Sequence, residues 1–117
     1  MAPTNYTRHL YAREKFGLAV HKLATGEGDV RKRLIIAFRE IWHLEPTAVP
    51  KHLVRDLSWI KRQMTRLGPL RDENGEVWRR AVEHTMSRIR NSTGAKIAER
   101  IYRVNSKLDW LAHHKRK

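Results

Sequence analysis

Cysteine is absent from the 117-residue chain. This excludes a disulfide framework, a thiolate nucleophile and a Cys-based zinc site. It fits a reducing compartment, and the cytoplasm is the expected location. No apolar stretch reaches the roughly 18 residues that mark a membrane-spanning helix, so no membrane partner is expected. The first residues, MAPTNYTRHLYAREKF, lack the uncharged core of a signal peptide. Proline (4) and glycine (6) are few, so each one is informative as a break. Acidic residues are scarce too. Twelve Asp and Glu face 25 Lys and Arg, giving a net charge of +13. A domain this basic repels itself and attracts polyanions. Nucleic acid is the commonest such partner, and an acidic protein is the second candidate.

What the chain does hold is helical periodicity. Its longest apolar run is Leu34-Ile35-Ile36-Ala37-Phe38, continued by Ile41 and Trp42. On a helix over 29–44, Leu34, Phe38 and Ile41 share one face, and Ile35, Phe38 and Trp42 share the next. A helix apolar over so much of its circumference is expected at the centre of a bundle. Ahead of it, Ala12, Phe16, Ala19, Val20 and Leu23 recur at three- and four-residue steps from Tyr6 onward. Gly26 is placed to close that helix in the left-handed conformation, and Asp29 to cap the next. After Pro46 and Pro50 a third helix is expected from Lys51 to about Leu67, with Leu53, Leu57, Ile60, Met64 and Leu67 inward.

The polar segment 68–75 reads as a loop. Asn74-Gly75 is a hairpin signal, but no strand-like run flanks it. A fourth helix is expected from Glu76 to Arg90 with Val77 or Trp78, Ala81, Val82, Thr85, Met86 and Ile89 inward. A break at 91–94 leads to a fifth, capped by Ser92 or Thr93 and carrying Ile97, Ala98, Ile101, Val104, Leu108 and Leu111. The expected fold is therefore all-α, one domain over 1–117, with about five helices around the central one. Residues 1–5 and 113–117 are expected to be mobile ends. Phe16, Phe38, Trp42 and Trp78 are assigned to the core.

Two places concentrate positive charge. On the third helix Lys51, Arg55, Arg62 and Arg66 recur at steps of four, seven and four, which aligns them in one stripe. That spacing suits phosphates along a nucleic-acid groove. Trp59 lies beside the stripe, either free to stack on an unpaired base or anchor a partner, or packed under a neighbouring helix with the arginines merely solvated. At the turn into the fifth helix, Arg88, Arg90 and Lys96 surround free backbone N–H groups, a setting for phosphate, and Arg100 and Arg103 continue the surface. Trp110, opposite the Ile97–Ile101–Val104 stripe, is a candidate contact for a second copy of the chain.

Catalytic signatures are weaker. Gly26-Glu27-Gly28-Asp29 lacks the Gly-Lys-Ser/Thr ending of a phosphate loop. Glu40 and His43 have the i, i+3 spacing of di-metal bundles, but the second copy is missing; no metal and no cofactor are expected. Residues 79–108 fit a helix-turn-helix at the turn, but the second helix is long and strongly amphipathic. Arg79-Arg80-Ala81-Val82-Glu83-His84 resembles the R-x4–6-H motif of the small all-helical HEPN ribonucleases, with Arg80 where that family carries Asn, Asp or His. The resemblance implies Arg79 on the scissile phosphate and His84 in acid–base work. The composition points instead to a small, basic, non-enzymatic nucleic-acid-binding protein. Its alternative is an adaptor, inhibitor or small subunit that docks its basic face on an acidic partner.

Overall fold

Helical periodicity becomes five α-helices among residues 5–114, the part of the chain that the computed structural model describes, with side chains described from His9 onward. Helix α1 (Asn5–Thr25) buries Ala12, Phe16, Ala19 and Leu23. It lies against α5 (Asn91–His114). Arg13 of α1 meets Asp109 near one end of that contact at 2.7 Å, and Gly17 faces Asn105 one turn along, so the two helices run antiparallel. Helix α2 (Val30–Phe38) contacts α1, α4 (Ala81–Arg88) and α5. That three-sided contact is what an apolar run covered on several sides predicts. Asp29 caps it, its Oδ1 accepting the Lys32 N–H at 3.1 Å. No helix among the described residues is long and apolar enough to cross a membrane.

Several boundaries differ from the sequence expectation, each for a local reason. Gly26 does not take the left-handed conformation; Gly28 does, with φ +88°. Helix α2 stops at Phe38, not near Leu44. The chain then turns, and the turn keeps Ile41 and Leu44 in the core while leaving Trp42 60% exposed. Trp42 is therefore not a core residue. The third helix begins as a 3-10 turn at Lys51–Leu53 and is α-helical only over α3 (Val54–Thr65). Leu53, Leu57, Ile60 and Met64 are buried, but Leu67 lies beyond the helix and is exposed.

The segment expected to be loop and helix start is a hairpin. Strand β1 (Leu70–Arg71) pairs antiparallel with β2 (Val77–Arg79). The Asp72 Oδ1 accepts the N–H groups of Asn74 and Glu76 at 2.9 Å each, and Gly75 adopts φ +82°. Asn74-Gly75 was thus the signal to follow; strands of two and three residues are too short to show a period. Because β2 takes up 77–79, α4 starts only at Ala81, and Trp78 sits on the hairpin, 61% exposed rather than buried.

The break before α5 is the pair Ile89-Arg90, in which Ile89 is buried and extended (φ −82°, ψ 162°). Helix α5 begins at Asn91, so Gly94 lies inside it rather than at its cap. There it allows close approach: a Cβ at 94 would sit 2.9 Å from Val30 Cγ1 and 3.5 Å from Leu34 Cδ1. His113 and His114, assigned to a mobile tail, are helical, with each Nδ1 donating to the carbonyl four residues back at 2.8 Å. Asn5 likewise belongs to α1. The remaining ends of that assignment, 1–4 and 115–117, lie outside the described residues. One buried hydroxyl ties the bundle's second half together: Thr85 of α4 accepts the Leu67 N–H at 3.1 Å, linking the end of α3 to α4.

Candidate nucleic-acid interface

The amphipathic pattern of α3 turns its apolar stripe inward and leaves Arg55, Arg62 and Arg66 exposed, with Lys51 exposed on the preceding 3-10 turn. None of these four side chains has a hydrogen bond or ion pair among the described residues. The same holds for Arg88, Arg90 and Lys96 around the start of α5. Seven of the cations singled out by spacing are therefore free of acidic partners. Exposed charges without counter-charges raise the local positive potential, and polyanion binding with counterion release relieves it.

Two residues of the set have a different setting. Trp59 is half-buried against the core. The Arg100 guanidinium of α5 lies over its ring, 4.2 Å from the centroid, and donates to Asp56 Oδ1 at 3.0 Å. Asp56 and Trp59 are three apart on α3, so both face the same α5 residue. The planar cation thus lies over an indole while donating to a carboxylate, a geometry that suits arginine. It covers the Trp59 face that base stacking requires. Trp110 is 57% exposed but stacks on His114 at 4.2 Å with ring planes 11° apart.

The sequence reading missed a second surface. Between α2, β2 and α4 run three concavities of about 260, 410 and 630 Å³. Glu83 lines all three; Arg80 joins the larger two, and Arg79 joins the smallest to the largest. They adjoin one another around Glu83 of α4 and are taken together as one groove, with Trp42 lining the 410 Å³ part and Trp78 the 630 Å³ part. Thr65 lines the Trp42 end, so the C-terminal end of α3, one residue before Arg66, reaches the rim. Asp29 and Arg31 line the 260 Å³ part, which adjoins the Trp42 part at Ile35. The Arg31 hydrogen bond to Asp29 at 2.9 Å, together with the Lys32 N–H, holds the Asp29 carboxyl below its ordinary value. The available signal was the tetrapeptide Val77-Trp78-Arg79-Arg80, an aromatic next to paired arginines beside a turn.

Arg79 and His84 occupy separate settings. Arg79 ends β2 and donates to Ser87 Oγ at 3.1 Å, whereas the His84 Nδ1 donates to the Gly68 carbonyl at 2.8 Å and lines none of these concavities. Glu40 lies 4.0 Å from the Lys15 ammonium, and His43 shares a 2.8 Å hydrogen bond with Tyr11. Among the described residues no three His, Asp or Glu side chains gather as metal ligands. No protein-family model, curated protein or solved structure matches the chain.

Proposed function

We propose that this is a small nucleic-acid-binding protein that engages the phosphate backbone through Lys51, Arg55, Arg62 and Arg66 of the α3 segment and Arg88, Arg90 and Lys96 at the start of α5. The observation that supports the reading is that these seven exposed cations have no acidic partner among the described residues, in a chain of net charge +13. Contacts to phosphate fix register and carry little sequence information, so binding by this surface is expected to discriminate weakly between sequences. Arg100 supports the surface from beneath, because its guanidinium is held by Asp56 and Trp59.

The test is binding of a short duplex and a short single strand as salt is varied. Affinity is expected to fall linearly on a log–log plot, by a slope of about one for each phosphate neutralised on a duplex. Arg62→Glu with Arg66→Glu is expected to weaken binding and to flatten that slope by about two. Absence of any complex at about 50 mM salt, where phosphate contacts are strong, sinks the reading. A second reading, docking on an acidic protein, is favoured by the exposed Trp42 and Trp78, since aromatic residues are enriched at protein interfaces. It predicts salt-sensitive capture of one acidic protein and no retention of nucleic acid.

A further inference from the structure

The groove between α2, β2 and α4 differs chemically from the α3 surface. It combines large exposed aromatic faces, unpaired guanidinium groups and two half-buried carboxylates, Asp29 paired with Arg31 and Glu83 with no ion pair among the described residues. Trp42 and Trp78 are 60% and 61% exposed, Trp42 meeting the His43 ring edge-on at 6.0 Å. The side chains of Arg39 and Arg80 are exposed and have no hydrogen bond or ion pair among the described residues. Arg79 lies 5.9 Å from the Trp78 ring centroid. Glu83 lines the groove throughout its length yet makes no ion pair with the arginines around it.

Each feature selects the same ligand. A tryptophan face stacks on an unpaired base whatever its identity. Arginines beside it neutralise the flanking phosphates. A duplex keeps its bases stacked on each other and has none to offer. A carboxylate, which repels phosphate, accepts N–H donors from the edge of a splayed base. Guanine presents two parallel donors on its Watson–Crick edge, an imino and an amino group, and so matches both oxygens of one carboxylate. Concavities of about 410 and 630 Å³ are of the size that holds a small ligand.

Resting on the nucleic-acid reading above, we propose that this groove is a single-strand site. It takes unpaired bases on Trp42 and Trp78, phosphates on Arg39, Arg79 and Arg80, and favours guanine through Glu83. The α3 surface then supplies general affinity and the groove supplies the preference for unpaired, guanine-containing strands.

The experiment uses the full chain and three fluorescein-labelled probes at one low salt concentration: a thymine 12-mer, the same strand with two central guanines, and a hairpin duplex. Trp42→Ala and Trp78→Ala are each expected to weaken single-strand binding about tenfold or more, leaving the duplex unchanged. Glu83→Gln is expected to erase the preference for the guanine strand over plain thymine. Circular dichroism confirms that each variant is folded. If the tryptophan variants bind single strands like the parent while Arg62→Glu still weakens duplex binding, the groove proposal is overturned and the α3 reading stands. If none of the three probes binds, both readings fall. If polyglutamate binds and the tryptophan variants lose it, the groove is a peptide site and the proposal is overturned.

Discussion

Trp59 and Trp78 carry the same side chain and each neighbours arginine, yet they have opposite settings. Trp59 is held between the core and the Arg100 guanidinium, which Asp56 anchors from one turn away. Trp78 stands 61% exposed on a two-stranded hairpin, with Arg79 only loosely over it. The difference lies in what faces each residue. Helix α3 is covered by α5, a partner long enough to bring its own cation and to close over the indole. The hairpin has no second layer. An aromatic and an arginine become a structural brace where a neighbouring helix completes them, and remain available to a ligand where none does.

The largest expected effect tests that contrast through stability. Trp59→Ala removes a half-buried indole and leaves Arg100 without its stacking partner. It is expected to cost about 2 kcal/mol, below the range for a fully buried aromatic. Trp78→Ala is expected to stay within about 0.5 kcal/mol, as exposed substitutions do. Urea unfolding of the two variants decides it. Equal losses would mean that the hairpin tryptophan is structural after all.

Next comes the frame that holds the groove open. Val30 leads into α2, one wall of the groove, and meets α5 at Gly94, where a Cβ would lie 2.9 Å from Val30 Cγ1. Gly94→Val is therefore expected to destabilise by about 2 kcal/mol, since overpacking outweighs the helix propensity gained. Val30→Ala in the same chain is expected to restore part of that loss. A double-mutant cycle measures the coupling, and additive effects would show that the two helices do not meet there. Thr85→Val probes the link from α3 to α4 and is expected to cost about 1–2 kcal/mol by leaving the Leu67 N–H unpaired.

These positions also show what the sequence made legible. Leu53, Leu57, Ile60 and Met64 repeated at helical steps and are buried; Asp29 announced its cap and makes it. Long periodic elements are readable because a helical face is either inside or outside. The hairpin was not readable by period, as two and three residues hold none, and the error spread to Trp78. Trp42 was misplaced by extending a correct helix beyond Phe38, where a turn rotates it outward. Gly94 read as a breaker because glycine's two uses, freedom of backbone and absence of a side chain, look alike in one dimension. On the candidate surface, spacing identified the exposed arginines, but the Asp56–Arg100–Trp59 contact joins residues 44 apart and only the fold brings them together.

The smallest effect is a pH response at the two ends of the bundle. The Asp29 carboxyl is held below its ordinary value by the Arg31 hydrogen bond first and the Lys32 N–H next; Asp109 is lowered chiefly by Arg13. A carboxyl whose value is depressed on folding stabilises the native state above the unfolded value of 3.8, and that contribution is lost as pH falls through the lowered value. Asp109 is exposed and Asp29 lies at the surface, half-exposed, so the contribution is small. Asn at position 29 still caps a helix but carries no charge. Asp29→Asn is therefore expected to lower the urea midpoint slightly at pH 5, with the difference from the parent closing as pH drops below 3.8. A difference that persisted or widened on acidification would show that Asp29 acts through cap geometry alone, and that the Arg31 contact beside the groove contributes no charge-dependent stability.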